Sequence, residues 1–279
     1  MIRYRINGGG LIQPKVINFP DGTFKIDLEN IPDTSEIIEI VWNYGGESEQ
    51  NILYYLASCF KDIFPDGKLV LHLPYLPNAR MDRVHDRTEV FTLKYFCRMI
   101  NSLGFFRVNL LDAHSNVGVG MLDRAVNCSP REYIEQAFIE SEKMSENDLL
   151  FFPDEGAMKR YADMLNMPDI GFGIKQRDWS TGQIKGLDIQ GTSPEGRRVF
   201  IIDDICAYGG TVYNTAKKLK ELGAEKIYVF FTHCENSIAE GKLFGCGLID
   251  RIYTTDSLCT LPDTELFKKL PIEYGLKGM

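Results

Sequence analysis

The stretch VFIIDDICAYGGTVYNTAKKL, Val199–Leu219, decides the fold. Val199, Phe200, Ile201 and Ile202 are apolar without alternation, the pattern of a strand covered on both faces. Asp203 and Asp204 follow at its carboxyl end, where open α/β sheets present their ligand sites. Gly209 and Gly210 allow a tight turn, and Thr211–Leu222 has helical spacing, stopped by Gly223. Backbone N–H groups at such a helix start, reinforced by the macrodipole, suit a phosphate. The carboxylates cannot bind phosphate themselves. They suit sugar hydroxyls, as acceptors, or a magnesium ion with its waters.

Working outward, strand-like and helix-like segments alternate. Leu149–Phe152, Ile170–Ile174 and Lys226–Phe231 are predicted strands, and Glu155–Leu165 a helix. The first half repeats the plan, with strands over Glu36–Trp42, Leu69–Leu73 and Arg107–Leu111. Helices are expected over Glu49–Phe64, where Ile52, Leu53, Leu56, Cys59, Phe60 and Ile63 share a face, and over Phe91–Leu103. Each half is therefore an α/β unit. The polar run SEKMSEN, Ser141–Asn147, separates them, which predicts domains 1–145 and 146–279.

The 279 residues are 44% hydrophobic and 25% charged, an ordinary globular balance. A net charge of −8 argues against a nucleic-acid partner. Positive charge for phosphate binding must then be concentrated locally. No apolar run reaches the roughly 18 residues of a membrane span, and the start, MIRYRINGGG, has no apolar core of a signal. The seven cysteines contain no C-x-x-C pair, and several sit in apolar runs as expected of free buried thiols. A cytoplasmic location is the expectation.

The Asp203–Thr211 run resembles the PRPP-binding loop of type I phosphoribosyltransferases and PRPP synthetases. In that loop two acids hold ribose hydroxyls and the turn holds the 5-phosphate. The resemblance assigns Asp203, Asp204, Ala207, Tyr208, Gly209, Gly210 and Thr211 to ribose-phosphate binding. Four further motifs resemble the synthetases. Phe19-Pro-Asp-Gly-Thr23 is similar to F-x-D-G-E, which implies adenine contacts from Phe19 and Asp21 across a subunit interface. Pro74-Tyr-Leu-Pro-Asn-Ala-Arg-Met-Asp-Arg83 is similar to P-Y-x-x-x-A-R-Q-D-R, which implies ATP binding by Arg80, Asp82 and Arg83; guanidinium forks are well shaped for polyphosphate. Leu111-Asp-Ala-His-Ser115 and Phe152-Pro-Asp-Glu-Gly156 resemble the D-L-H and S-P-D-x-G elements, implying magnesium ligation by His114 and Asp154. Ile174-Lys-Gln-Arg-Asp178 resembles the K-R-R catalytic loop, implying catalytic roles for Lys175 and Arg177 with His114.

These motifs identify a member of the PRPP synthetase family, closest in wording to its divergent phage-type branch. The resemblance implies two type I phosphoribosyltransferase-like domains, an active site between them, and at least a homodimer. It implies ATP and Mg²⁺, with pyrophosphoryl transfer to the anomeric hydroxyl of ribose 5-phosphate. Ala207 and Tyr208 stand where the family has an acid and a threonine. That exchange adds an aromatic surface and leaves ADP-ribose, with its role in NAD metabolism, open as the acceptor. A non-catalytic regulatory homologue and a simple phosphoribosyltransferase are the alternatives.

Overall fold

The computed structural model describes residues 1–141, 147–177 and 184–274. Contacts divide the chain into two compact units. One comprises Met1–Ser129 and the C-terminal segment from Ile272; the other is Pro130–Pro271.

The first unit is built on a sheet of five strands. Its elements in chain order are β1 (Ile2–Ile6), β2 (Lys15–Asn18), β3 (Phe24–Asp27), β4 (Ile37–Trp42), α1 (Glu49–Ile63), β5 (Lys68–His72), α2 (Thr92–Ser102), β6 (Arg107–Leu111), α3 (Asn116–Met121) and β7 (Ala125–Cys128). The sheet order is β1-β4-β5-β6-β7, and β2 and β3 form a separate hairpin. Only β1 runs antiparallel to its neighbour within the sheet. The reason for the helix side is the two-residue period of the strands. Ile38, Ile40, Leu69, Leu71, Val108 and Leu110 share one face and pack with Leu53, Leu56 and Phe60 of α1 and Leu93, Phe96 and Ile100 of α2.

The opposite face of this sheet is polar and still buried. Arg5 donates from Nε and Nη2 to the two Glu39 oxygens at 2.6 and 2.7 Å. Asn109 Nδ2 donates to His72 Nδ1 at 3.2 Å, so the His72 proton lies on Nε2, which donates to Glu39 at 3.0 Å. The register produces this chain, because Arg5 pairs with Glu39 and His72 with Asn109 across their ladders. Tyr274 completes it, bonding Asn43 at 2.8 Å and lying edge-on to His72.

The second unit carries a seven-stranded sheet. Its elements are α4 (Arg131–Glu140), β8 (Leu149–Phe152), α5 (Glu155–Leu165), β9 (Ile170–Arg177), β10 (Ile184–Gly191), β11 (Arg198–Cys206), α6 (Gly210–Glu221), β12 (Lys226–Cys234), β13 (Arg251–Thr255) and β14 (Phe267–Leu270). The order is β10-β9-β8-β11-β12-β13-β14. All pairs are parallel except β9 with β10. Helices cover both faces, as the unbroken apolar runs require. Val199, Ile201, Val229 and Phe231 pack with Val212, Ala216 and Leu219 of α6. Phe200, Ile202, Tyr228 and Phe230 pack on the other side with Ala157, Tyr161 and Leu165 of α5 and Ile134 and Ala137 of α4.

The fold class is the expected one: mixed α/β, mainly parallel sheets flanked by helices. The boundary lies at Ser129/Pro130 rather than 145/146. Ile134 and Ala137 bury α4 in the second core, and Arg198 fastens its end, reaching the Ser141 carbonyl at 3.3 Å and Asp148 at 2.6 Å. Strand β11 also runs to Cys206, beyond the expected stop at Ile202, because β12 continues to pair with it through Cys234. No helix among the described residues is long and apolar enough to cross a membrane. All seven cysteines are free, and Cys97, Cys206, Cys234 and Cys259 are buried.

The Glu39 chain makes a stability test. Burial alone would raise this carboxyl; the hydrogen bonds from His72 and Arg5 outweigh it and hold the group at about 2. A depressed value gives stability that is present above the unfolded pKa of about 4.3 and lost as pH falls toward 2. Glu39→Gln leaves Arg5 without its charge partner and should cost about 3–5 kcal/mol in urea unfolding at neutral pH. Between about pH 4 and pH 2 the wild-type advantage should shrink.

Candidate active site

In the second unit the site is built where β11 meets α6. Asp203 and Asp204 project to opposite sides of β11, as successive strand residues must. Asp203 accepts the Asp204 N–H at 3.0 Å, and Asp204 Oδ1 accepts the Ile205 N–H at 2.9 Å. Arg160 of α5 reaches the other Asp204 oxygen, Nη1 to Oδ2 2.5 Å. Burial raises the Asp203 carboxyl well above the usual range, and the charges of Asp204 and Asp154 push in the same direction. Asp154 therefore belongs to this acidic group. It is the N-cap of α5, accepting the Ala157 N–H at 3.1 Å.

The turn after β11 is held from outside. Gly209 caps α6 with φ +73°, and a Cβ there would lie 2.2 Å from Leu243 Cδ1. A Cβ on Gly241 would lie 2.0 Å from the Tyr208 carbonyl oxygen. The two 3-10 turns Asn236–Glu240 and Leu243–Gly245 thus form a shelf on which Tyr208 and Gly209 rest. Gly210 and Thr211 are exposed, and α6 has no acidic residue in its first turn. Its first-turn N–H groups have no helical partner and can receive an anion. The Tyr208 side chain is 59% exposed.

In the first unit two loops leave the carboxyl ends of neighbouring strands. The loop after β5 is latched to β6, with Leu111 N–H on the Pro74 carbonyl at 3.0 Å. Its beginning is buried through Ala79, and Arg80 and Arg83 then emerge, the Arg83 side chain being 81% exposed. Asp82 lies 3.9 Å from Arg83. After β6, Asp112 is buried with φ +45°, a left-handed conformation tied by its N–H to the Cys128 carbonyl at 3.0 Å. Asn127 holds the next N–H, of Ala113, at 2.9 Å, which sets the half-buried His114. Phe19 and Asp21 lie apart, on the turn of the β2–β3 hairpin. Asp21 accepts both the Thr23 N–H and hydroxyl, at 2.9 and 2.7 Å, and these bonds hold its carboxyl below the usual range. Thr23, standing in the position of the family's acid, therefore ties down Asp21.

The structure brings together Asp154, Asp203, Asp204 and the Ala207–Thr211 turn in one unit. Arg80, Asp82, Arg83 and His114 share a sheet edge in the other. His114 and Asp154 fall in different units, and no group of three or more His, Cys, Asp or Glu side chains among the described residues is arranged to hold a metal. The backbone of Lys175–Arg177 ends β9, with Lys175 opposite Leu187 and Arg177 opposite Ile184, rather than standing in a loop. Residues 178–183, into which that motif continues, lie outside the described residues. Arg160 escaped the sequence reading, because an arginine on an amphipathic helix carries no signal until its partner strand is placed.

Gly241→Ala should move the Tyr208 carbonyl or unseat the 3-10 turns, costing about 1–3 kcal/mol in thermal unfolding. Gly245→Ala, whose Cβ would meet nothing within 4 Å, should cost much less and serves as its control.

No family model matches the chain. It is 29% identical over 274 residues to a ribose-phosphate pyrophosphokinase of Pyrococcus abyssi, covering 96% of this chain and 91% of the relative. It is 26% identical to a ribose-phosphate pyrophosphokinase of Thermococcus kodakarensis, covering 91% and 88%. Its fold is similar to that of the phosphoribosylpyrophosphate synthetase from Mycobacterium smegmatis, with a TM-score of 0.74 at 18% identity, over 93% of this chain and 86% of that one. Likeness of sequence that runs almost end to end in both chains, on a shared fold, supports a place for this chain in the ribose-phosphate pyrophosphokinase family of transferase enzymes.

Proposed function

We propose that the protein transfers the β,γ-pyrophosphoryl group of ATP to the anomeric hydroxyl of ribose 5-phosphate, giving PRPP and AMP. The observation that carries this reading is the acid pair of β11 followed at once by the Gly209 turn and the first turn of α6. Carboxylates that accept from ring hydroxyls, next to N–H groups that donate to a phosphate, match the two ends of a ribose phosphate. Asp203 and Asp204 take the ring hydroxyls, and the Ala207–Thr211 turn takes the 5-phosphate. Arg80 and Arg83, both exposed, take the polyphosphate. Phe19, 46% exposed at the hairpin tip, and Asp21 take the adenine, supplied to a neighbouring copy in at least a dimer.

ATP enters as its magnesium complex. Asp154 and His114 would hold that cation, the hard carboxylate oxygen of Asp154 suiting it better than the imidazole of His114. When bound, the ion would supply neutralisation of phosphate charge. Lys175 and Arg177 stabilise the charge that builds on the transferring β-phosphoryl group. The anomeric oxygen forms the new bond to the β-phosphorus as the bond from that phosphorus to the α-bridging oxygen breaks. AMP carries away the electron pair, and the hydroxyl proton goes to solvent. Positioning and charge neutralisation supply the catalysis.

A second acceptor, ADP-ribose, is favoured by Tyr208. Its ring is exposed on the turn itself, where a group attached beyond the 5-phosphate could stack. Such an acceptor would tie the reaction to NAD metabolism. Purified protein with ATP, Mg²⁺ and each acceptor, followed by AMP release, tests both. AMP formed with ribose 5-phosphate alone removes ADP-ribose; AMP formed with neither favours a non-catalytic homologue. Lys175→Ala with Arg177→Ala should lower kcat by about a thousandfold or more and leave the circular dichroism spectrum intact.

A further inference from the structure

Two neighbouring acids at the end of a buried strand raise a problem that the residues assigned so far do not solve. Asp204 is 7% exposed, and a carboxylate buried that far is costly unless paired and hydrogen-bonded. Its charge partner is Arg160, whose side chain is 30% exposed and whose Nη1 lies 2.5 Å from Oδ2. The other oxygen is occupied by the Ile205 N–H. Arg160 is itself fixed. Its guanidinium lies 5.8 Å from the centre of the Tyr161 ring, and Tyr161 is fully buried and stacked on Phe152. The helix that carries it is capped by Asp154, six residues earlier, or about 9 Å along the axis. One rigid helix therefore carries both the third acid of the group and the cation that restrains the second.

From this we infer that Arg160 is a positioning residue of the acceptor site: it clamps Asp204 in one orientation, so that the acceptor's ring hydroxyls meet a pre-set pair of carboxyl groups. The inference rests on the proposed acceptor binding but not on turnover. The acid that Arg160 bonds lies next to the phosphate turn, so what holds that acid also sets the acceptor site. A lysine keeps the charge and can replace part of the clamp, whereas glutamine replaces the donor but not the charge.

The test is calorimetric titration of ribose 5-phosphate, and separately of ADP-ribose, into the wild type, Arg160→Gln, Arg160→Lys, Asp204→Asn and the Arg160→Gln/Asp204→Asn pair, without ATP. Arg160→Gln should weaken acceptor binding roughly tenfold to a hundredfold. Arg160→Lys should recover part of the loss, and the glutamine change should have little further effect once Asp204 is Asn. In steady-state assays the acceptor KM should rise while the ATP KM stays within about twofold. Thermal unfolding of every variant accompanies the titrations. A stable Arg160→Gln protein with wild-type acceptor affinity, or additive losses in the double variant, overturns the inference. Wild-type binding without AMP formation sinks the proposed reaction alone. A wild type that binds neither acceptor overturns both.

Discussion

A strand covered by helices on both faces has no solvent side, and β11 is such a strand. Its neighbours β8 and β12 take up its main-chain hydrogen bonds, while α6 packs on one face and α4 and α5 on the other. Side chains along Val199–Ile202 must then be apolar whichever way they point. Nothing in that rule allows two carboxylates to follow before the pairing ends. They do so because each acid receives a main-chain N–H and Asp204 also receives Arg160. The cost of burying charge is offset locally, and the result is a fixed pair of acids beside a phosphate-shaped turn.

The same physics governs the first unit, with a different outcome. There the face of the sheet away from α1 and α2 is buried but polar. Arg5, Glu39, His72 and Asn109 link side by side across four strands, β1, β4, β5 and β6. Each member is useful only if its neighbours are present, which makes the row sensitive to single substitutions. Its role is architectural, because it fixes the mutual register of the strands. Two of these, β5 and β6, deliver the Arg80–Arg83 and Asp112–His114 loops from their carboxyl ends. In both units, then, a satisfied buried charge fixes where exposed functional groups emerge.

The turn after β11 shows a further constraint. Tyr208 and Gly209 are pressed against Gly241 and Leu243, residues more than thirty positions later in the chain. Gly209 needs its positive φ, as a glycine turn does anywhere. Gly241 is different: its φ is −82°, which any residue can adopt, and only the closeness of the Tyr208 carbonyl excludes a side chain. The shape of the anion-binding turn is thus set jointly by its own backbone and by a remote shelf.

By itself the sequence determined the α/β class, the central strands and helices, the acid pair, the glycine turn and the arginine loop. Local physics suffices for these, since hydrophobic period, helix capping and glycine conformation act within a few residues. The strands β1, β10, β13 and β14 and the helix α4 were not legible. Each is short or only partly apolar, so its local pattern is weak and its place is decided by packing against the rest of its unit. The domain boundary moved for the same reason, because Ile134 and Ala137 choose their core only when Phe200 and Tyr228 are in place. Tertiary structure alone placed Arg160 on Asp204, Gly241 beneath Tyr208 and Asp154 among the acids. Those contacts join residues tens of positions apart, where the free energy of burial and charge pairing, rather than any local preference, decides who meets whom.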